Sequence, residues 1–149
     1  MRIRYAEPND LDLLKEGLFD VRMIEKRPEK DIPVNNDDIE SFRQGIGNRT
    51  IKIVENDEGL PVGFVYYRTD FPVPYVSGDF LWIDIIYVRE AERGKGYGTA
   101  LYKEAVEYAR SSGLDRIVID IFDVNERSKV FHSKMDFDPF YTIYIKKVR

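Results

Sequence analysis

The order of apolar and polar positions divides roughly the first third of the chain into a strand and two helices. Charged and apolar residues alternate over Arg2–Ala6, which is typical of a half-buried strand. A helix is predicted after the capping residues Asn9 and Asp10, because apolar residues then recur at helical spacing. These residues are Leu11, Leu14, Leu18, Val21 and Ile24. A capping box at Asp37–Glu40 predicts a second, shorter helix that ends near Gly45–Gly47.

The middle of the chain predicts a hairpin followed by a central strand. Apolar runs at Ile51–Val54 and Val62–Arg68 flank the turn-like segment Asn56–Gly59, a pattern that indicates two antiparallel strands. Phe80–Val88 is mostly apolar, and a short charged link, Arg89–Glu92, separates it from the residues that follow. We expect Phe80–Val88 to form the central strand of the sheet.

The last third of the chain predicts two helices and two strands. Thr99–Ala109 has apolar residues on one side and charged residues on the other, and Gly113 is placed to end this helix. The nearly continuous apolar run Arg116–Phe122 is typical of a strand covered on both faces, and the strand–helix–strand unit predicts a right-handed parallel crossover. A helix over Asn125–Met135 follows, and the alternating segment Phe140–Lys147 is expected to close the sheet.

Composition narrows the classes of protein. The 149 residues are 43% hydrophobic and 34% charged, which suits one globular α/β domain with a mixed sheet over residues 1–149. The net charge of -4 argues against a nucleic-acid partner. With no cysteine and one histidine, disulfides, a cysteine nucleophile and thiolate or multi-histidine metal sites are excluded, so we expect no metal. No apolar run reaches the length of a signal peptide core or a membrane span, which predicts a cytoplasmic protein without a membrane partner.

A glycine-rich loop lies between the central strand and the following helix. Such a loop leaves several backbone N–H groups unpaired at the positive end of a helix dipole, an arrangement that binds a phosphate or pyrophosphate group. Because the net charge is negative, local geometry must hold such a ligand. The residues expected to hold it are Arg93, Gly94, Lys95, Gly96, Tyr97, Gly98 and Thr99.

Four interpretations of this loop compete. A P-loop requires Ser or Thr after the lysine, whereas Gly96 follows Lys95. A dinucleotide fingerprint starting at Gly94 has Thr99 at its third glycine position, although Asp120 lies at the distance of a ribose-binding acid. That fold also needs several more strand–helix units, and only about 50 residues follow the loop. A glycine-rich turn without a ligand is the third interpretation, and an Arg-x-x-Gly-x-Gly loop that opens a helix is the fourth.

Arg93, Gly96 and Gly98 match the fourth pattern, which resembles the acetyl-CoA loop of the GNAT N-acetyltransferase superfamily. The resemblance covers the whole chain, because individually weak features occur in the order and at the spacing of that family. These features are an Ile-Arg-x-Ala-like first strand, a Gly-x-Pro-Val-Gly-Phe hairpin, Ile86-Tyr87-Val88, and Asn125-x-x-Ser128-x-x-Phe131 before Met135-Asp136-Phe137. The resemblance implies a mostly antiparallel sheet with one parallel crossover pair, flanked by helices, and acetyl-CoA as the acetyl donor.

Acetyl transfer to an amine requires a base, because an ammonium group with a pKa near ~10 is not a nucleophile. Asp84 is the candidate, since it is the only carboxyl group in Phe80–Val88, and burial would raise its pKa. It shares parity with Trp82, Ile86 and Val88, which is expected to direct it toward the substrate. In polyamine acetyltransferase-like relatives an acid at this position sits in the active site, and the shorter Asp predicts relay through a water. The alternative is a carboxylate paired within the core.

The resemblance also assigns residues to the thioester and its arm. It places the backbone N–H of Val88 on the thioester carbonyl, where negative charge develops during transfer. Ile86, Tyr87 and Val88 would then run beside the pantetheine arm. Asn125 and Ser128 match positions that contact the arm on its other side.

His132 stands where the family usually has a tyrosine, at a position that contacts the cofactor and protonates the departing thiolate. A charged imidazolium would donate a proton more readily than a phenol at pH 7, and the alternative is a satisfied, partly buried histidine. Tyr141 or Tyr144 could supply a hydroxyl instead. Asp136 replaces the family's usual glycine, and Asp tolerates a left-handed backbone better than most residues.

These features predict an N-acetyltransferase that moves an acetyl group directly from acetyl-CoA to a primary amine in a ternary complex. Without cysteine, the commonest covalent acyl-enzyme route is closed. The acceptor is a small-molecule or protein amine, and an edge strand at the C-terminus allows pairing into a homodimer. The rival interpretations are a non-catalytic acyl-CoA-binding module and a nicotinamide-binding domain built on Gly94–Asp120.

Overall fold

One five-stranded sheet organises the structure, a computed structural model that describes residues 1–149. Its elements in chain order are β1 (Arg2–Tyr5), α1 (Leu11–Ile24), α2 (Asn36–Gly47), β2 (Ile51–Glu55), β3 (Pro61–Arg68), β4 (Leu81–Val88), α3 (Tyr97–Ser111), β5 (Ile117–Val118) and α4 (Glu126–Lys134). The sheet order is β1-β2-β3-β4-β5, so each strand lies beside its neighbour in sequence. None of the helices combines the length and the apolar composition that crossing a membrane requires.

Strand direction changes at one edge of this sheet. Neighbouring strands from β1 to β4 run antiparallel, whereas β4 and β5 run parallel, with Leu81 opposite Ile117 and Trp82 opposite Val118. α3 supplies the crossover that two adjacent parallel strands need. The predicted α/β fold, with a mixed, mostly antiparallel sheet, one parallel crossover pair and flanking helices, is confirmed.

Two apolar clusters cover the two faces of the sheet. One packs α1 and α2 against the face that carries Phe64 and Tyr87. The other packs α3 against the face that carries Val65 and Ile83. Gly17 lets α1 approach the first face closely, because a Cβ atom there would collide with the rings of Phe64 and Tyr87. Burial of both faces accounts for the nearly continuous apolar sequences of β3 and β4.

A capping box fixes where α2 begins. Asn35 accepts a hydrogen bond from the backbone N–H of Asp38, and Asp38 accepts one from the backbone N–H of Asn35, both at 2.9 Å. The box lies two residues before the predicted Asp37–Glu40, because Asn35 supplies the N-cap. α2 ends at Gly47, within the predicted range.

A buried ion pair joins β1 to the start of α1. Arg4 donates to both carboxylate oxygens of Asp10, at 2.7 and 2.9 Å, and its Nε donates to Glu55 at 3.0 Å. Asp10 is 5% exposed and also accepts from the backbone N–H of Glu7. Burial alone would raise the pKa of Asp10, but Arg4 and the Glu7 N–H outweigh it and hold that pKa below its usual value.

Two predictions about the end of the sheet are wrong. The strand predicted over Arg116–Phe122 forms only at Ile117–Val118, and Phe140–Lys147 forms no strand. Residues 135–149 contain neither helix nor strand. An alternating sequence can enter a sheet, but a ladder forms only where a neighbouring strand supplies the hydrogen bonds, and within one copy none does so here.

Candidate active site

A β-bulge interrupts the pairing of β3 with β4. Tyr66 lies opposite Ile85 and Tyr67 lies opposite Ile83, so Asp84 has no partner across the ladder. The extra residue locally increases the twist and bends the strand. Beyond this point β4 continues to Val88 without β5 beside it, which opens a gap at the edge of the sheet.

The bulge also reverses which side chains share a face with Asp84. Ile83 and Ile86 both pack in the α3 cluster although they are three residues apart, whereas Tyr87 packs in the α1–α2 cluster. The predicted common parity of Asp84 with Ile86 and Val88 is therefore wrong, because the extra residue shifts the alternation. Arg22 of α1 is among the charges that act on Asp84, which places this carboxyl group on the α1–α2 side.

The carboxyl group of Asp84 is two-thirds screened from solvent, its side chain being 32% exposed. Burial raises its pKa, the nearby Asp120 raises it further, and Arg68, whose Nη1 lies 3.8 Å from Oδ2, lowers it. The net direction is upward from the ordinary value of Asp. The prediction that burial raises the pKa of Asp84 is confirmed, and a raised pKa suits a base that works near neutral pH.

The end of β4 offers backbone donors to the gap. The N–H of Arg89 donates to a β3 carbonyl at 2.9 Å. Because alternate residues of a strand point their N–H groups to opposite edges, those of Ile86 and Val88 face the side of β5. β5 reaches only to the residue opposite Trp82, so no strand meets these two groups. The carbonyl of Val88 accepts from Arg93 Nε at 2.8 Å, which fastens the glycine loop to the end of the strand.

The glycine loop presents a continuous row of free amides. None of the backbone N–H groups of Gly94–Thr99 donates a backbone hydrogen bond, and the first donor in the helix is Ala100, to Gly96 at 3.1 Å. Gly94 and Gly96 have φ angles of 80° and 88°, a left-handed backbone conformation that residues other than glycine rarely adopt. These amides stand at the N-terminus of the fifteen-residue helix α3, where the helix dipole favours an anion.

The strand end, the loop and α4 enclose one cleft of about 420 Å³. It collects twelve of the thirteen residues for which cofactor contact was predicted: Ile86, Tyr87, Val88, Arg93, Gly94, Gly96, Tyr97, Gly98, Thr99, Asn125, Ser128 and His132. Lys95 is the exception, because its ammonium group pairs with Glu92 at 2.9 Å and does not line the cleft. Asp84 also lies outside it, at the bulge itself, four residues before Val88.

The single histidine is held in one tautomer. Nδ1 of His132 lies 2.8 Å from the carbonyl oxygen of Ser128 and 3.1 Å from its hydroxyl. A carbonyl only accepts, so Nδ1 carries the hydrogen and Nε2 presents a lone pair, which has no partner in the protein. Burial lowers the pKa of His132 below its usual value, which at pH 7 favours the neutral ring over the imidazolium that a role as proton donor would need.

The ends of α4 carry two further predicted residues. Asn125 Oδ1 accepts from the backbone N–H of Ser128 at 3.1 Å, so Asn125 caps the helix that forms one wall of the cleft. Asp136, just past the helix, has a φ of 65°, which confirms the prediction that Asp adopts a left-handed conformation in place of glycine.

Sequence reasoning missed the acids that hold β4 against α1. The hydroxyl of Tyr87 donates to Asp20 at 2.5 Å, and Arg89 donates twice to Glu16, at 2.8 and 3.1 Å. Glu16 and Asp20 are four residues apart on a helix and so share a face, which is the signal that could have grouped them. α4 also brings the cations Arg127 and Lys134 to the cleft wall, which the free amides of the glycine loop share.

Comparisons with known proteins agree with this geometry. The model of the acetyltransferase (GNAT) family matches residues 16–137. YwnH of Bacillus subtilis (strain 168), assigned provisionally as a phosphinothricin acetyltransferase, is 27% identical over 141 residues, which cover 92% of this chain and 83% of that protein. A mutant of BH1408 from Bacillus halodurans has a TM-score of 0.81 at 18% identity and covers 99% of this chain and 100% of its own. AAC(6')-Iy in complex with the bisubstrate analog CoA-S-monomethyl-acetylneamine has a TM-score of 0.72 at 16% identity, with coverages of 99% and 97%.

The family match spans most of the chain, from the middle of α1 to the end of the α4 turn. The solved structures share the fold, and the free amides of the loop and of β4 suit a ligand that carries a pyrophosphate and a carbonyl group. The resemblance seen in the sequence is therefore confirmed. The chain belongs to the acetyltransferase (GNAT) family and is an acyltransferase that uses acetyl-CoA as its acetyl donor.

Proposed function

We propose that the protein transfers the acetyl group directly to a primary amine while donor and acceptor are bound together. The observation that carries this proposal is the arrangement along β4 of one free donor and one proton acceptor. The N–H of Val88 can donate to an oxygen that gains negative charge, and the carboxyl group of Asp84, with its raised pKa, can take a proton.

The residues present fit the acetyl donor. Acetyl-CoA, when bound, supplies the acetyl group as a thioester. We assign the N–H groups of Gly94–Thr99 to its pyrophosphate and that of Val88 to its carbonyl oxygen. Ile86 and Tyr87 would flank the pantetheine arm on one side, and the start of α4 would flank it on the other.

Asp84 is assigned as the base that acts through water. An extended strand rises about 3.3 Å per residue, so its Cα lies roughly 13 Å from that of Val88, too far for a short side chain to bridge alone. A water chain between the carboxylate and the amine would carry the proton, and the carboxyl group's 32% exposure leaves room for it. Arg68 opposes the effect of burial on the pKa of Asp84 and so favours the ionised form.

Carboxyl groups near the bulge favour an acceptor that arrives as a cation. Asp120 raises the pKa of both Asp84 and Glu25, so each of these two groups lies within electrostatic reach of Asp120. An approaching ammonium group relieves such mutual repulsion, because it favours the ionised form of each acid. An acetylated-neamine analogue in AAC(6')-Iy, which shares this fold, is consistent with an amine acceptor, either a small molecule or a protein amine.

His132 is proposed to touch the donor as a hydrogen-bond acceptor. Its Nδ1 hydrogen is held by Ser128, and its lowered pKa leaves Nε2 unprotonated at pH 7. His132 lines the cleft and its buried Nε2 has no protein partner, so an amide N–H of the pantetheine arm that reached Nε2 would satisfy the lone pair. In this assignment the departing thiolate takes its proton from the amine or from water.

The deciding experiment measures thiol release from acetyl-CoA with a panel of primary amines. The enzyme should release CoA only with its acceptor, and Asp84→Asn should lower turnover at pH 7 at least tenfold while the CoA dissociation constant stays within twofold. Asp115→Asn is the matched control, because that side chain is 90% exposed and remote from the cleft. Unchanged turnover in Asp84→Asn would remove Asp84 from the mechanism.

Direct transfer is tested separately. Without an amine, intact-mass measurement should find no acetyl group on the protein, and initial-rate lines for the two substrates should intersect. Parallel initial-rate lines, together with an acetyl group on the protein, would contradict direct transfer in a ternary complex. CoA binding without turnover by any amine would favour the rival acyl-CoA-binding module.

A further inference from the structure

α1 holds the end of β4 through two side chains that flank Val88. The hydroxyl of Tyr87 donates to Asp20 at 2.5 Å, and the guanidinium of Arg89 donates to both carboxylate oxygens of Glu16, at 2.8 and 3.1 Å. Oε2 of Glu16 also lies 3.3 Å from the Tyr87 hydroxyl oxygen, so the four side chains form one network. We call Glu16, Asp20, Tyr87 and Arg89 the α1 clamp.

The clamp depends on a close approach of α1 to the sheet. Gly17 lies between the two acids in sequence, and a Cβ atom at that position would stand 2.8 Å from the Tyr87 ring. Burial, Asp20 and Glu16 all raise the pKa of Tyr87 above its ordinary value, which keeps the phenol a protonated donor at pH 7. Tyr87 is 4% exposed, so packing fixes its ring and the two carboxylates fix its hydroxyl.

The end of β4 has a strand neighbour on one edge only. β3 pairs with it as far as Val88, whereas β5 reaches only to the residue opposite Trp82. The peptide unit that carries the N–H of Val88 is planar and joins the Cα atoms of Tyr87 and Val88. A displacement of Tyr87 would therefore carry that N–H with it, and no ladder on the β5 side would resist the movement.

We propose that Glu16 and Asp20 are positioning residues that fix the N–H of Val88 where it stabilises the oxyanion of acetyl transfer. The inference rests on the proposed function, which assigns this N–H to the carbonyl oxygen of acetyl-CoA. A donor is effective only at about 2.7–3.1 Å from the oxyanion, and a misplacement of about 1 Å can cost roughly 10²-fold in rate. Neither acid lines the cleft, so both act through the clamp residues at the end of β4.

A role in stability alone is the alternative, and the exposure of the clamp argues against it. The side chains of Arg89 and Glu16 are 43% and 40% exposed, and ion pairs at such positions contribute little to the free energy of unfolding. The two roles also predict different results. Loss of a stabilising contact lowers the free energy of unfolding wherever the contact lies, whereas loss of a positioning contact also changes the hydrogen bond to the bound thioester carbonyl.

Infrared spectroscopy of bound acetyl-CoA, labelled with ¹³C at the thioester carbonyl, measures that hydrogen bond. In the wild type the carbonyl stretch should lie below that of free acetyl-CoA, because a hydrogen bond to the oxygen weakens the C=O bond. Tyr87→Phe keeps the ring and removes the hydroxyl. In this variant the stretch should return at least halfway to the free value and kcat should fall at least tenfold, while the CoA dissociation constant stays within threefold.

Tyr66→Phe is the matched control, because it also removes a buried tyrosine hydroxyl that joins the sheet to a helix. That hydroxyl donates to the carbonyl of Ser41 in α2 at 3.0 Å. Its loss should cost a similar amount of stability in urea unfolding and leave the carbonyl stretch at the wild-type value. A stretch and a kcat that stay at wild-type values in Tyr87→Phe would overturn the proposal, and so would a stretch that moves equally in both variants.

Substitutions on α1 test the clamp from the helix side. Asp20→Leu should shift the stretch as Tyr87→Phe does, whereas Asp20→Asn keeps an oxygen that accepts from the hydroxyl and should restore most of the wild-type value. Asp20→Leu added to Tyr87→Phe should cause little further loss of kcat, because both substitutions remove the same contact. Fully additive losses would show that the two residues act independently and would contradict the clamp.

The proposed function fails in a different way from the clamp. If acetyl-CoA bound to the wild type shows no lowered stretch, the assignment of Val88 is wrong and the clamp has no donor to position. If the wild type transfers acetyl groups and shows the lowered stretch, while Tyr87→Phe and Asp20→Leu keep both properties, only the role of the clamp is wrong.

Discussion

Oδ2 of Asp84 lies 3.8 Å from Nη1 of Arg68, at the bulge between β3 and β4. Arg68 is shared, because its Nε also donates to Asp70 at 3.1 Å. Burial raises the pKa of Asp84 and the Arg68 guanidinium lowers it. The protonation of the proposed base therefore depends on two opposed effects, both exerted at the bulge. In the proposed mechanism, Arg68 therefore tunes the pH at which the enzyme works.

Arg68→Gln should move the acidic limb of the kcat/KM profile to higher pH. A base must be deprotonated to act, so activity rises with pH through the pKa of Asp84, and loss of the guanidinium raises that pKa. The pH profile with a fixed amine provides the measurement. Arg68→Lys keeps the positive charge, so its acidic limb should lie close to the wild-type position. An acidic limb that stays in place in Arg68→Gln would show that it belongs to another group.

His132→Phe should leave the shape of the pH–rate profile near neutrality unchanged. The ring is neutral at pH 7 because burial lowers its pKa, so it has no proton to lose in that range. Phe131 and Phe137, whose ring centroids lie 5.0 and 5.3 Å from that of His132, provide an apolar site that accepts a phenyl group. We expect weaker CoA binding with an unchanged pH–rate profile. If one limb of that profile disappeared in the variant, His132 would instead be the acid that protonates the thiolate.

The same histidine predicts a pH dependence of stability. Its folded-state pKa is below the ordinary value near 6.5, so below that pH the unfolded chain binds a proton that the folded chain does not. The free energy of unfolding should therefore fall as the pH drops below about 6.5, by at most about 1.4 kcal/mol per unit from this group. Urea unfolding from pH 7 to 5 should show this slope in the wild type and a smaller one in His132→Phe.

The features predicted from sequence are those that neighbouring residues determine. The loop of free amides, in which Gly94 and Gly96 have positive φ angles, and the left-handed turn at Asp136 depend mainly on local residue type, and both the loop and the turn were predicted. The bulge at Asp84 depends on the register between β3 and β4, which no local pattern encodes, and it overturned the predicted parity with Ile86. Phe140–Lys147 has a strand sequence but forms no strand, because a ladder also needs a neighbouring strand, which the segment's own residues do not specify.

Asp10→Asn should destabilise the fold with little effect on acetyl transfer. The substitution leaves Arg4 buried without its bidentate partner, and breaking a buried pair from one side costs about 3 kcal/mol. The wild-type contribution is present above the ordinary pKa of Asp and is lost as the pH falls through the lower folded-state value. Chemical denaturation at pH 7 provides the measurement. Asp12→Asn, at an exposed position of α1, should cost less than about 1 kcal/mol, and equal losses would mean that the pair adds nothing specific.

Gly98→Ala, at the end of the glycine loop, should weaken CoA binding without destabilising the protein. Gly98 lies within α3, its φ is not in the left-handed range, and an added Cβ would make only ordinary contact with the Phe131 ring at 3.5 Å. Alanine there should leave the protein as stable or raise its Tm, because glycine costs about 0.5–1 kcal/mol in a helix. The methyl group would stand among the free amides, so we expect at least a tenfold loss of CoA affinity, equivalent to about 1.4 kcal/mol. Gly47→Ala, with no atom within 4 Å of the added Cβ, should preserve affinity, and calorimetry that finds full CoA affinity in Gly98→Ala would move the pyrophosphate away from this helix end.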